Sequence, residues 1–262
     1  MIKQIITGIL VLPFVFAANA SSAQTVTLDY FFNHETRVGK NGRTERYHYT
    51  WEDQGNTGFS KWGGLFKRRG AKIDSLASAP TLRNLKGTEI YIIVDPDTKK
   101  ESVKPNYVEP AHVESISKWV KAGGILVLMA NDSANTELSR FNTLAAKFGM
   151  HFNNDMQAYV VDDNHFEDGA IVPPNKQVLT TAKKLFMKDA CSISLTGIAK
   201  PLLKTANWAI LAALAKYGKG TVIAVGDPWL YNEYVNGRLP AGFDNDKAAD
   251  DLAAYLLKIV NR

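Results

Sequence analysis

The stretch from Tyr217 to Tyr234, YGKGTVIAVGDPWLYNEY, constrains this chain more than any other. Thr221 to Val225 is short, apolar and β-branched, the composition of a strand buried on both faces of a parallel sheet. Gly226-Asp227-Pro228 stops that strand with turn chemistry. It releases Asp227, Trp229, Tyr231, Asn232 and Glu233 at the strand's carboxyl end, the edge at which open α/β sheets bind ligands. The plainer reading of the same residues is a capped turn roofed by Trp229 and Tyr231.

The remaining segments fit such a sheet. Thr25 to Phe32 reads as a first strand ending in Asn33-His34-Glu35, and Ala71 to Leu76 as a short one. Thr88 to Val94 is a strand ending in Asp95-Pro96-Asp97, and Ile125 to Ala130 one ending in Asn131-Asp132-Ser133. Helical spacing of apolar residues places helices over Phe59 to Phe66, stopped by Gly70, and from Glu109-Pro110 to Gly123-Gly124. Two more follow, one carrying Leu138 to Phe148 before Gly149 and one carrying Ala248 to Ile259. Strands alternating with helices predict an α/β, three-layer, mostly parallel sheet. Residues 151–215 change texture, with Pro173-Pro174 and short β-prone pieces. They read as a β-rich insertion or sheet extension within a single α/β domain spanning 24–262.

The first 23 residues read as a signal peptide: Lys3, an apolar run from Ile5 to Ala18, and small-x-small cleavage sites at Ala18-Asn19-Ala20 and Ser21-Ser22-Ala23. The expected mature amino terminus falls between Ser21 and Thr25, and the expected location is the periplasm without a membrane anchor. Cys191 is the single cysteine, so no disulfide forms within the chain. The net charge of +5, without a long basic block, suits an anionic small ligand or glycan and argues against a nucleic-acid partner.

Four strand ends with polar clusters converge on one edge if the strands are parallel, which predicts a cleft holding Asp95, Asn131, Asp227 and Trp229. GxSxG, HExxH, P-loop and GxGxxG signatures are absent from the sequence. Asp95 and Asp97 with Asp132 offer a divalent-cation option, although turn formation explains them more simply, and no cofactor is expected. His48 and His34 are the acid/base candidates, because each sits in a polar aromatic segment rather than on an apolar helix face. His112 reads as first-turn helix surface. The bland alternative for Tyr47-His48-Tyr49 is a strand with His48 facing solvent.

Two segments, Ser117 to Leu128 with its WVKAGGILVL core and Gly218 to Pro228, resemble the class I glutamine-amidotransferase-like fold, a flavodoxin-like architecture, in its DUF4350 and ThuA-like branch. In amidotransferases the strand ending near Ala130 delivers a nucleophilic cysteine; Asn131-Asp132-Ser133 stands here, so glutaminase chemistry is not expected. A longer similarity runs through Asp29 to Asn33, Tyr47 to Asp53, Tyr91 to Thr98, Met129 to Ser133 and Gly226 to Tyr234. It is to a domain found alone, or fused to unsaturated glucuronyl or rhamnogalacturonyl hydrolases, in polysaccharide-utilization systems. The resemblance implies an oligosaccharide dehydratase that forms a 4,5-unsaturated uronic acid at the non-reducing end of ulvan-type glycans and acts alongside those hydrolases. It transfers no catalytic residues.

For that reaction His48 is the expected C5 base, since an imidazole with a pKa near ~6.5 keeps a neutral fraction at working pH. Tyr47 and Tyr49 orient it or supply the acid, Tyr231 is the second candidate acid, and His34 is the reserve base. Arg46 and Asn131 are expected on the substrate carboxylate, with Trp51, Asp95, Asp227, Trp229 and Asn232 around the sugar. The alternatives are a non-catalytic glycan-binding domain, stacking sugars on Trp51, Trp229 and Tyr231, and an unsaturated-uronyl hydrolase.

Overall fold

The computed structural model describes residues 23–174 and 177–260. The expected signal segment lies outside them apart from Ala23. In chain order the strands and helices are β1 (Thr25–Asp29), the ribbon β2 (Thr36–Val38) and β3 (Thr44–Arg46), α1 (Ser60–Arg68), β4 (Lys72–Leu76) and β5 (Ile90–Val94). Then come α2 (Pro110–Ala122), β6 (Ile125–Met129), α3 (Leu138–Ala145), and the short strands β7 (Met150–Phe152), β8 (Ala170–Ile171), β9 (Leu185–Phe186) and β10 (Ile193–Leu195). The chain closes with β11 (Lys200–Lys204), β12 (Ile210–Tyr217), β13 (Gly220–Val225) and α4 (Asn245–Val260).

Seven strands form one sheet in the order β11-β12-β13-β6-β5-β1-β4. The pairs from β13 to β4 are parallel, and β12 is antiparallel to both of its neighbours. β5 and β6 are buried at every position, because helices cover both faces and an alternating pattern would place polar groups under one of them. Ile90, Ile92, Val94, Ile125, Val127 and Met129 face a core shared with α1 and α4, and Tyr91, Ile93, Leu126 and Leu128 face the core under α2 and α3. The result is a three-layer α/β sheet, as the alternating pattern predicts. Among the described residues no helix is long and apolar enough to cross a membrane.

Helix starts follow local chemistry. Pro110 opens α2, Glu109 caps it, and the Glu109 amide donates to His112 Nδ1 at 3.1 Å, so His112 serves the cap. The β-prone region 151–215 divides in two. β7/β10 and β8/β9 pair outside the main sheet, whereas β11 and β12 extend it beside β13.

Counting only the five parallel strands in chain order, their spatial order is 2-1-3-4-5, and it reverses between β1 and β5. The chain leaves β1 toward α1 on one face and leaves β5 toward α2 on the other. In open α/β sheets divergent exits of this kind place the ligand crevice at the carboxyl ends of the two strands, here β1 and β5.

Candidate functional site

The floor of this crevice is built by two turns tied together. Asp29 ends β1, and its carboxylate accepts from the amides of Phe31 at 3.1 Å and Phe32 at 2.7 Å and from the Tyr91 hydroxyl. That turn brings Asn33, His34 and Glu35 to the edge. Asp95 ends β5 with a left-handed backbone, φ 46°, which Asp tolerates better than most residues. Its carboxylate accepts from the Thr136 hydroxyl. The Asp97 amide donates to Phe32 O at 2.9 Å, Asn33 Nδ2 to Asp95 O at 3.0 Å, and the His34 amide to Asp97 Oδ2 at 3.2 Å. His34 Nδ1 is 3.1 Å from that same oxygen, though outside hydrogen-bonding geometry, and its Nε2 meets Ser102 Oγ at 3.1 Å.

His48 reaches the edge by an unusual backbone. The Tyr47 amide donates to Glu35 O at 3.0 Å and closes the base of the β2–β3 ribbon. His48 and Tyr49 then take consecutive left-handed conformations, φ 60° and 48°. Each costs roughly 1–3 kcal/mol in a non-glycine residue, and such strain persists only where surroundings hold it. Here they do: His48 Nδ1 meets Glu35 Oε1 at 2.5 Å, the His48 and Tyr49 rings stack with centroids 3.9 Å apart, and Trp229 Nε1 donates to the Tyr49 hydroxyl at 3.0 Å. Residues 47–49 are therefore not the strand of the bland alternative. The imidazole is turned inward, with its side chain 21% exposed.

Burial sets the electrostatics. It pushes Asp95 up to about 7 against the opposing Thr136 hydrogen bond and the nearby His48, with Glu101 adding to the rise. Asp97 is pushed up to about 8, with the His34 amide opposing and the charges of Glu35, Glu101 and Asp95 adding. Burial likewise lifts Asp29 to about 6 and Asp227 to about 7. For His48 burial acts downward, but the hydrogen bond and charge of Glu35, with Asp95 and Glu101, leave it raised. The arrangement pairs a carboxylate-backed imidazole with carboxyl groups that keep their protons near neutral pH, which is equipment for proton transfer.

These shifts predict a pH dependence of stability. Each raised carboxyl stays protonated in the folded protein after its unfolded counterpart ionises near ~3.9. The unfolded state then binds fewer protons, so stability falls as pH rises from about 4 and levels off above about 8. His48 adds to the same slope, because its contribution is present below the unfolded value and is lost through the raised one. Calorimetry should find a lower unfolding temperature at about pH 8.5 than at about pH 5, with a shallower fall in Asp97→Asn. A midpoint that climbs with pH contradicts the assignment.

The other expected site residues separate into groups. Asn131 and Thr136 brace Asp95: the Asn131 amide donates to Thr136 Oγ1 at 2.7 Å, and Asn131 Oδ1 accepts from the Asp132 amide at 2.8 Å. Asp227 is fully buried and accepts from the amides of Lys188 at 3.0 Å and Trp229 at 2.8 Å, so it holds two loops together. Asp95, Asn131, Asp227 and Trp229 do gather at one edge, but the three polar residues form its buried floor. Half-buried Trp229 forms a wall through Tyr49. Tyr231 lies in the α1/α4 core, stacked on Trp62 with centroids 5.0 Å apart, and burial drives its hydroxyl further up. Trp51 is also in that core, its Nε1 donating to Asp74 O at 2.8 Å. Buried Asn232 caps its own turn. Arg46 lies over the Tyr30 ring at 3.8 Å. Among the described residues no three His, Cys, Asp or Glu converge as a metal site, and Asp132 accepts from the Ala134 amide at 2.7 Å in its own turn.

Sequence reasoning grouped Glu35 with His34 but did not pair it with His48, which comes thirteen residues later, beyond the ribbon. Tyr49 as the bridge to Trp229, and Thr136 as the partner of Asp95, have no signature, since both contacts arise from long-range packing.

No family model and no curated protein matches the chain. Solved structures do. The mmIFT52 N-terminal domain is similar with a TM-score of 0.64 at 18% identity, over 89% of this chain and 97% of that one. Cytoplasmic Protein STM3548 from Salmonella typhimurium is similar with a TM-score of 0.55 at 13% identity, over 90% and 98%. Gan42B, a GH42 beta-galactosidase, aligns with a TM-score of 0.50 at 13% identity, over 91% of this chain but 30% of its own. At these identities the likeness is one of fold alone.

Proposed function

We propose that this chain is a periplasmic oligosaccharide dehydratase, a carbon–oxygen lyase that forms a 4,5-unsaturated uronic acid at the non-reducing end of acidic, ulvan-type glycans. We assign its scaffold to the flavodoxin-like, class I glutamine-amidotransferase-like type, supported by the 2-1-3-4-5 order of the parallel strands. One observation carries the reaction: the His48–Glu35 pair stands beside buried carboxyls that keep their protons to neutral pH, at the reversal point of the sheet.

In the proposed step His48 takes the C5 proton, made acidic by the adjacent carboxylate. The C5–H electron pair becomes the C4=C5 bond as the C4–O bond breaks. Asp97, protonated at the same edge, supplies the proton to the departing hydroxyl, which leaves as water. Exchange with solvent then returns the proton from His48 and restores that of Asp97. A purely glycan-binding role is less well supported, because two of its three stacking aromatics, Trp51 and Tyr231, are core residues.

Mixing the protein with saturated, uronate-capped oligosaccharides should generate ultraviolet absorbance of the conjugated uronate. Loss of absorbance from an unsaturated substrate instead indicates a hydrolase, and no change with either removes catalysis on uronates.

A further inference from the structure

Every buried side-chain polar atom without a hydrogen-bond partner among the described residues belongs to four residues of this crevice: Asn33 Oδ1, His34 Nδ1, Arg46 Nε and Nη2, and Asp97 Oδ1. Each such atom costs roughly 1–3 kcal/mol, and folded proteins keep few of them. Asn33, His34 and Asp97 sit on the two tied turns and Arg46 lies over Tyr30 of the first of them, so these atoms gather around one end of the sheet and mark a socket for a polar group.

Its shape is specified by what is left unpaired. Nε and Nη2 are the two donors along one edge of the guanidinium, the edge that accepts a carboxylate side-on with two parallel hydrogen bonds. The Tyr30 ring under the guanidinium, at 3.8 Å, fixes its plane, and the Tyr30 hydroxyl is held by Glu35 O at 2.5 Å. Nη1 is turned the other way, 3.7 Å from Glu52 Oε1. Asn33 Oδ1 is an acceptor and Asp97 Oδ1, on a carboxyl that keeps its proton near neutral pH, is a donor or an acceptor, so both suit hydroxyl partners. We infer that Arg46, Asn33 and Asp97 form a subsite for a carboxylate that carries a hydroxyl or hydroxyls nearby, the pattern of a uronic acid. The inference rests on the dehydratase reading for the identity of the sugar but not for its carboxylate.

The ribbon β2–β3 ends in Arg46. Its strands pair only with each other, and the strand residues are exposed apart from half-buried Arg46.

The test is ligand-detected NMR titration with methyl β-D-glucuronide, its methyl ester and methyl β-D-glucoside, which share the ring but not the charge. The glucuronide should bind at least about tenfold more tightly than either neutral analogue. Arg46→Lys should abolish that preference, because an ammonium cannot present two parallel donors, while circular dichroism reports a folded protein. Equal affinities, no glucuronide binding up to roughly 10 mM, a sulfated glucoside binding as well as the glucuronide, or a preference retained by folded Arg46→Lys overturns the subsite. The comparison among wild-type ligands stands if the variant does not fold. A carboxylate preference without any new chromophore removes the dehydratase reading and leaves the subsite. Dehydration by Arg46→Lys at unchanged KM does the opposite.

Discussion

Replacing His48 by Asn is expected to lower turnover of a uronate-capped oligosaccharide by roughly 10²-fold or more while the protein stays folded. Asn is the informative choice because His48 sits at φ 60°, where Asn is among the few non-glycine residues tolerated. Ala or Gln would mix backbone strain with the loss of the imidazole. The pH profile supplies a second readout. A base must be neutral to act, so kcat/KM should climb as pH rises through the raised pKa of His48, above the ordinary ~6.5. Glu35→Gln removes both the carboxylate hydrogen bond and the charge that lift it, so the ascending limb should move to lower pH. A His48→Asn variant with near-normal turnover would instead place the base at His34.

Trp62→Ala is expected to cost about 3–5 kcal/mol of stability, the range for truncating a fully buried large aromatic. Trp62 has no exposed surface and fills the space between α1 and α4. Its ring lies 5.3 Å from Phe59, 5.3 Å from Phe66 and 5.0 Å from Tyr231, and its Nε1 donates to Ala249 O at 3.2 Å. Urea unfolding should show a lower midpoint at an unchanged slope. A loss below about 1 kcal/mol would mean that α1 and α4 close over the cavity, which the surrounding rings oppose.

The sheet was legible in the sequence because its central strands are continuous apolar runs bounded by strong punctuation. Pro110 and Gly123 fix the ends of α2, and Asp227-Pro228 ends β13, by chemistry that acts within a few residues. The polar strand ends likewise gather at one edge, as parallel strands require. The sequence could not separate floor from surface within that cluster. Asp227 and Asn131 have the composition of ligand-binding residues, yet the Lys188 amide from a distant segment occupies the Asp227 carboxylate and the neighbouring Asp132 amide occupies Asn131 Oδ1. Tyr231 was misleading for a similar reason, since one turn of 3-10 helix rotates it under the sheet edge into the layer of Trp62. Nor does local pattern encode the left-handed pair His48-Tyr49, for Tyr49 does not favour that conformation and Glu35, Trp229 and the stacked rings hold the pair.

The divergence of the chain at β1 and β5 means that the crevice is a seam between two separately packed interiors. Tyr49 and half-buried Trp229, which shape the His48 side, pack with the α1/α4 layer, whereas Phe32, at the base of the Asn33-His34 turn, packs with the α2/α3 layer. Sequence drift in one layer can therefore reshape one bank of the crevice without disturbing the other. A scaffold with that property can exchange the contacts that recognise a ligand while it keeps the groups that move protons, or the reverse.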